Sequence, residues 1–213
     1  ISDRQSGPLI IRYGTEKHQK ELLPGILRGE SYFCIGMSEP DSGSDLAAIR
    51  TKAEKNNNIY VVNGTKLWTS GAHRCQYMIA LFRTSQEDDR HAGFSQFIVD
   101  LSLPGITIRP IIDLAGRHHF NEVIFEDAKV PADMLIGEEG NGWNQVTAEL
   151  ALERSGPERY LSSYILLQEL VNEFSKRNDG EGVTEIGRQM AHLTTLRQMS
   201  VSVAGMLDEG ANP

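Results

Sequence analysis

The sequence predicts an α+β fold in which an antiparallel β sandwich or barrel lies between two helical segments. Apolar residues recur at helical spacing near the beginning of the chain. About seven strand-like runs then follow one another between residues 31 and 136, with no helical pattern among them. Helical spacing returns from Trp143 onward. We therefore divide the chain into residues 1–30, 31–136 and 137–213, and we expect a crevice where the last two segments meet.

The first segment is predicted to contain an amphipathic helix. Thr15 is a suitable N-cap, because its hydroxyl can accept a hydrogen bond from a free amide of the first turn. Gly29 marks the end of the helix. The apolar stripe between them consists of Leu22, Leu23, Ile26 and Leu27.

The middle segment is predicted to be rich in strands, because β-branched and aromatic residues dominate short runs separated by turn residues. We expect a turn at residues 56–58. We also expect a hairpin turn at Asn63–Gly64, since both residue types tolerate positive φ. The expected strands cover residues 49–55, 59–62, 65–69, 77–82, 94–99, 106–111 and 121–125.

The last segment is predicted to form helices over residues 143–155, 158–176 and 186–207. Gly156–Pro157 should break the first of these, because proline has no amide hydrogen to continue the helical ladder. Residues 178–182 are expected to form a solvated link.

Composition limits the possible functions. The chain has 213 residues and a formal net charge of −8, which argues against nucleic acid as the main partner. Cys34 and Cys75 are its only cysteines, and we expect two free thiols in a reducing compartment. No apolar stretch approaches membrane-spanning length, so a soluble protein is expected. The chain begins at Ile1 and stops at Pro213 just after a helical pattern, so both ends are expected to continue in a longer protein.

The first candidate site is the loop that follows an apolar run ending at Met37. Small hydroxyl residues, a proline and a glycine come next. Such an edge exposes backbone N–H groups and hydroxyls, which suit a polar planar ring and a phosphate. If a flavin lies there, the Met37 backbone would meet the pyrimidine carbonyl, Ser38 the N5/O4 edge and Ser44 the pyrophosphate. The alternative is an ordinary polar turn.

A second edge of the same kind, residues 66–72, contains Trp68 and Ser70. An indole beside a hydroxyl can cover one face of a flavin while the hydroxyl bonds to the edge of the ring. The alternative for Trp68 is a position in the core.

Glu153 is the candidate general base. Trp143, Val146 and Leu150 precede it at helical spacing, so its carboxylate lies on the apolar stripe of its helix. Unless it is paired, its pKa should be raised, as a general base requires. The alternative is an ion pair with Arg154 or another arginine.

Arg117, His118 and His119 precede a predicted strand. Adjacent residues of a strand point to opposite faces, so the two histidines cannot easily share one ion. No ligand-spaced cluster of Cys, Asp or Glu accompanies them, and we expect no metal site. The dinucleotide-binding glycine motif, the P-loop and the Gly-x-Ser-x-Gly elbow are absent from the sequence.

Taken together, these residues resemble the acyl-CoA dehydrogenase family over most of the chain. The resemblance implies that residues 1–30 end an N-terminal helical domain, 31–136 form the middle β domain and 137–213 begin a C-terminal helical domain. Several stretches agree in order and spacing: Gly14–Thr15 with Leu23–Pro24, Met37–Asp45, Asn63–Trp68, Phe125–Pro131 and Gly137–Trp143.

The resemblance implies that FAD lies between the β and C-terminal domains. Met37 and Ser38 would touch the ring, Trp68 and Ser70 would line its other side, and Ser44 would reach the pyrophosphate. The implied reaction is the α,β-dehydrogenation of an acyl-CoA thioester to the trans-2-enoyl-CoA. A carboxylate would take an α-proton while the β-hydrogen leaves as hydride to flavin N5, and the electrons would pass to an electron-transfer flavoprotein. A homotetramer or dimer in a bacterial cytoplasm or the mitochondrial matrix is expected.

Two questions stay open at this point. The isovaleryl and long-chain members place the catalytic glutamate directly before an arginine, as in Glu153–Arg154, whereas most members place it later, beyond residue 213. Many members also bind the adenosine side of FAD through an Arg-x-x-Phe-Gly segment, for which residues 178–185 offer no arginine. The alternatives are therefore a partner subunit without the base in a mixed complex, or an oxygen-using flavin oxidase or monooxygenase of the same fold.

Overall fold

The computed structural model describes residues 1–177 and 180–211. They form two compact units, Ile1–Val146 and Thr147–Pro213. The α+β class is confirmed, since an eight-stranded sheet is preceded and followed along the chain by helices.

Two short helices open the first unit. A π-helical turn, Ser2–Ser6, leads into α1 (Gly7–Tyr13), and α2 spans Glu16–Leu27. The predicted cap of α2 is confirmed, because Thr15 Oγ1 accepts a hydrogen bond from the His18 amide at 3.2 Å. The helix ends before Gly29, whose φ of +68° is the left-handed conformation typical of a helix terminus.

The sheet has the strand order β6-β7-β3-β2-β4-β5-β8, and β1 also pairs with β4. Most neighbours are antiparallel, as predicted, but β1 and β2 run parallel to β4, so the sheet is mixed. The strands are β1 (Phe33–Gly36), β2 (Lys52–Asn56), β3 (Ile59–Ser70), β4 (Tyr77–Arg83), β5 (Phe94–Asp100), β6 (Ile106–Ile112), β7 (His118–Pro131) and β8 (Leu135–Ile136).

The predicted hairpin turn at Asn63–Gly64 is wrong, because β3 runs straight through these residues. Its register against β7 shifts between Val62 and Gly64, which makes this point a bulge. A Cβ at Gly64 would lie 2.5 Å from Thr51 Oγ1, so the glycine permits a close approach of backbone to a neighbouring segment rather than a chain reversal. The turn predicted at residues 56–58 is confirmed, with Asn57 at a φ of 54°.

The core of the first unit lies on both sides of the sheet. On one side, apolar residues of α1 and α2 pack against Phe33, Ile79, Ile98 and Ile136. On the other, aromatic rings interlock, with Phe82 at 5.3 Å from Phe125 and 5.7 Å from Phe97 between ring centroids. Both loop edges of the candidate site therefore extend from strands that are held rigidly by buried side chains.

The second unit is helical. α3 (Gly142–Ser155) begins in the first unit and ends at the predicted break, and α4 (Glu158–Leu161), α5 (Tyr164–Arg177) and α6 (Gly180–Asp208) follow. The solvated link expected at residues 178–182 falls partly outside the described residues, and its last part is wrong because α6 already begins at Gly180. The Thr184 hydroxyl bonds to the Gly180 carbonyl at 3.0 Å in that first turn. Among the described residues, no helix is both long and apolar enough to cross a bilayer.

Candidate functional site

The two predicted loop edges lie side by side in the structure. The first continues from β1 into Met37 and Ser38, and the second is the end of β3. The Leu67 amide donates a hydrogen bond of 2.8 Å to the Ser38 carbonyl, which joins the two edges at their middle. The structure thus brings together Met37, Ser38, Trp68 and Ser70, which the sequence predicted separately.

A buried ion pair holds this junction in place. Lys66 Nζ lies 2.8 Å from Glu39 Oε1 and also donates to the Met37 carbonyl at 3.2 Å. The Lys66 side chain is fully buried and that of Glu39 is 7% exposed. Because Lys66 belongs to the second edge while Glu39 and Met37 belong to the first, one ammonium group fixes both.

Burial affects the two partners differently. Burial lowers the pKa of Lys66 to about 8, although the neighbouring Glu39 carboxylate partly offsets the shift. For Glu39, burial alone would raise the pKa, but Lys66 and hydrogen bonds from the neighbouring Arg50–Thr51 segment outweigh it and hold the pKa below its usual range. Two backbone amides of that segment donate to the carboxylate. These amides belong to Arg50 and Thr51, at 2.6 and 3.0 Å from the carboxylate oxygens. The Glu39 carboxylate has more hydrogen-bond partners than the Lys66 ammonium. These partners therefore outweigh the effect of burial on the pKa of Glu39, whereas burial outweighs the partners of Lys66.

Trp68 is the strained residue of the site. Its φ is 60°, a left-handed conformation that is rare for a bulky residue, and the register between β3 and β7 shifts around it. Its indole is 55% exposed and touches Phe120 edge-on at 5.9 Å between ring centroids. The core reading of Trp68 is therefore wrong, because the bulge turns the ring outward. Strained backbone of this kind is found most often at functional sites.

Three serine hydroxyls accompany the indole. Ser38 and Ser70 are half-buried and Ser44 is exposed. None of these hydroxyls has a hydrogen-bond partner within residues 1–177 and 180–211. Ser38 and Ser44 lie on one short loop. A Cβ built at Gly43, next to Ser44, would lie 4.0 Å from Ser38 Oγ. Unpaired hydroxyls on two joined edges, one of which also carries an exposed aromatic ring, fit a polar, planar ligand such as a flavin.

Glu153 belongs to the second unit, near the end of α3. Its side chain is 30% exposed, and its carboxylate forms an ion pair with Arg159. The Arg159 Nε also donates to the Glu153 backbone carbonyl at 3.2 Å. The sequence had left open an ion pair with Arg154 or with another arginine across an interface, and the structure supplies Arg159 from α4 of the same unit.

Sequence reasoning missed Glu39 and Lys66. Their signal was a lysine inside an apolar strand and a glutamate at the start of a turn, both within stretches that had been noted for other residues. A charged residue in the interior of a strand predicts either an exposed face or a buried partner. The sequence alone does not decide between these two cases for Lys66, because its partner Glu39 lies 27 residues away along the chain.

Comparison with known proteins shows which family the chain resembles. Residues 34–128 match the family model of the acyl-CoA dehydrogenase middle domain. Two curated relatives from Mycobacterium tuberculosis are named acyl-CoA dehydrogenases. The chain is 45% identical to IpdE1 over 148 residues, covering 70% of this chain and 38% of the relative. It is 41% identical to FadE29 over 183 residues, covering 84% of this chain and 46% of the relative. The chain thus spans less than half the length of either protein.

Solved structures show the same fold. A structure described as "Tcur3481-Tcur3483 steroid ACAD" superposes with a TM-score of 0.85 and 28% identity, covering all of this chain and 56% of that one. The ChsE4-ChsE5 complex from Mycobacterium tuberculosis gives a TM-score of 0.79 and 30% identity, covering 96% of this chain and 55% of that one.

Proposed function

Because this chain belongs to the acyl-CoA dehydrogenase family, we propose that it is the flavin-facing part of an enzyme that oxidises an acyl-CoA thioester to the trans-2-enoyl-CoA. The single observation that carries the proposal is the junction of the two loop edges. There, an exposed and strained indole stands beside unpaired serine hydroxyls on a support fixed by the Lys66–Glu39 pair.

The residues of the junction fit FAD. In the proposed arrangement the Met37 backbone and Ser38 hold one edge of the ring, Trp68 and Ser70 cover another, and Ser44 binds the pyrophosphate. When bound, FAD would supply the acceptor for the two electrons removed from the substrate. The chain's own contribution is to orient that group and to keep water from one of its faces with the indole.

Glu153 is proposed to take the α-proton from the substrate. Its side chain is only 30% exposed and is held near the end of α3, and a positioned carboxylate is one of the usual general bases. The ion pair with Arg159 fixes its position, with the arginine as an orienting partner. A glutamate outside this chain remains the alternative base.

The replacement Glu153→Gln in the full-length protein tests the assignment. We expect the flavin absorption spectrum to be retained and turnover to fall by about 10²- to 10⁴-fold, the usual contribution of a general base. Glu169→Gln is the matched control, because Glu169 is an exposed residue of α5 with no part in the site. Turnover is measured with a dye acceptor on butyryl-CoA, isovaleryl-CoA and a steroid-derived acyl-CoA. Near-wild-type turnover of Glu153→Gln would move the base to another residue.

A second candidate function is a partner subunit in a mixed acyl-CoA dehydrogenase complex. It is favoured by the two similar solved structures, whose descriptions each name two components. Purification of the full-length protein alone, followed by light scattering and an assay for enoyl-CoA, separates the two functions. An active homo-oligomer supports the first, and a protein that becomes active only with a second chain supports the other. Electron-transfer flavoprotein is the proposed electron acceptor in both cases.

A further inference from the structure

A concave patch beside Gly71 is lined mostly by basic side chains. Its volume is about 590 Å³, which is the size of a pocket for a small organic molecule rather than for a single ion. The chain as a whole carries a net charge of −8, so a patch lined mostly by basic side chains differs from the chain's overall acidic character. The ionisable residues of this histidine–arginine patch are His73, Arg74, Asp113, Arg117, His118 and His119.

The one acidic side chain of the patch is already saturated. Asp113 accepts hydrogen bonds from the Ala115 and Arg117 amides at 2.9 Å each and from Arg117 Nε at 3.0 Å. These bonds, the backbone amide of Arg117 above all, hold the pKa of the carboxyl below its usual range. Asp113 therefore shapes the turn between β6 and β7, and its negative charge offsets that of Arg117, while Arg74 bonds to His73 and not to Asp113.

Two imidazoles of the patch are fixed in orientation. The rings of His73 and His118 stack with their centroids 3.8 Å apart. Both face the Asn121 carboxamide oxygen, at 3.2 Å from His73 Nδ1 and 2.7 Å from His118 Nε2. Asn121 is fully buried and donates to the Thr69 carbonyl at 2.9 Å, so the pair of rings rests on a rigid support. Such pre-organisation lowers the entropic cost of binding a ligand.

Several nitrogen donors of the patch are unused. The terminal guanidinium nitrogens of Arg74 and Arg117 and the ring nitrogens of His119 have no hydrogen-bond partner in the part of the chain that the structure describes. The same part of the chain contains no group of three or more His, Cys, Asp or Glu residues arranged to hold a metal ion. Unused guanidinium donors together with imidazoles are the usual means of recognising phosphate oxygens.

From these observations we propose that the histidine–arginine patch binds a phosphate-bearing ligand of nucleotide size. Arg74 and Arg117 contact the phosphoryl oxygens, and His119 supplies a further donor. The patch adjoins the proposed flavin edge, because the Gly71 amide donates to the His119 carbonyl at 2.9 Å and Phe120 touches Trp68. The site stands on its own geometry and does not require the proposed dehydrogenation.

The electrostatics of the histidine–arginine patch agree with an anionic ligand. Burial and the electrostatic influence of His118, Arg74 and His119 lower the pKa of His73, while its bond to Asn121 opposes the shift. An anion in the patch would relieve the mutual repulsion of these groups. Binding should accordingly weaken as the ionic strength rises.

Isothermal titration calorimetry of the full-length protein tests the site, with pyrophosphate as the probe and adenosine as the uncharged comparison. We expect saturable binding of pyrophosphate only. Arg74→Gln should weaken it about tenfold or more, the usual worth of one charge-assisted hydrogen bond. Arg117→Gln should do the same, and circular dichroism checks that the fold survives in each variant. The matched control is Arg28→Gln, an exposed arginine paired with Glu30 outside the patch.

Two further titrations, with ADP and with coenzyme A, identify the source of the phosphate. Coenzyme A binding more tightly than ADP, with the same loss in Arg74→Gln, supports a site for the substrate's phosphates; equal binding supports a site for free nucleotides. Absence of saturable binding of pyrophosphate, or equal affinity in Arg74→Gln and Arg28→Gln, overturns the proposal. Because the readout is binding, a protein that binds pyrophosphate here but forms no enoyl-CoA would refute only the proposed function.

Discussion

The buried Lys66–Glu39 pair gives a quantitative prediction for the pH dependence of stability. The pKa of Lys66 falls from 10.5 to about 8 on folding. The folded state therefore binds fewer protons than the unfolded state between these two values, and the free energy of unfolding rises with pH across that window. At 1.36 kcal/mol per pKa unit, titration of Lys66 costs the folded state about 3 kcal/mol at pH 7 and about 1 kcal/mol at pH 10.

The replacement Lys66→Met removes this contribution. Between pH 7 and pH 10 the wild-type chain should gain about 2 kcal/mol of unfolding free energy relative to Lys66→Met. Glu39→Gln should have a steeper dependence than the wild type, because without the carboxylate the pKa of Lys66 falls further. The three proteins thus have a predicted order of slopes: Glu39→Gln, wild type, Lys66→Met.

Urea unfolding followed by circular dichroism at constant ionic strength measures these free energies. The control is Lys20→Met, since Lys20 is an exposed residue of α2 that pairs with Glu16 at 3.0 Å. This variant should keep the wild-type slope. Equal slopes for the wild type and Lys66→Met would refute the reasoning, because they would mean that Lys66 is not an ionised group held in a dry environment.

Three further predictions concern the same unit. Trp68→Ala should change the unfolding free energy by less than about 1 kcal/mol, because Trp68 is 55% exposed. The same replacement should weaken FAD binding to the full-length protein about tenfold or more. An unchanged dissociation constant for FAD in a fluorescence titration would contradict the proposed role of Trp68. In thermal melts, Gly64→Ala should be far more destabilising than Gly71→Ala. Both glycines have positive φ, but a Cβ at Gly64 would lie within 3 Å of neighbouring atoms whereas a Cβ at Gly71 would meet none. The opposite order of stability would show that the bulge at Gly64 can relax. Cys75 should be alkylated before Cys34 in a time course followed by mass spectrometry, because Cys75 is half-exposed whereas Cys34 is buried. The interaction between the two thiols also lowers the pKa of Cys75 and raises that of Cys34; equal rates would contradict this order.

Local patterns in the sequence were sufficient for much of the fold. The N-cap of α2, the end of α3 at Gly156–Pro157 and the alternation of strands depend on residues within a few positions of one another, and all three were predictable. The two loop edges were also recognisable, because small hydroxyl residues after an apolar run have a local signature. The likeness of Asn63–Gly64 to a hairpin turn was misleading for the same reason, since a bulge and a turn share that signature.

The sequence by itself determined the α+β class, the cap of α2 and the end of α3, and it showed the resemblance to the acyl-CoA dehydrogenase family. Only the tertiary structure decided that Lys66 pairs with Glu39, that Glu153 pairs with Arg159, and that His73 and His118 share Asn121. The physical reason is the range of the interactions. Helix caps and turns are settled by neighbours along the chain, whereas ion pairs and stacked rings depend on the register of strands and the packing of helices. A shift of one residue in that register would turn Lys66, His118 and Asn121 to the other face of their strands.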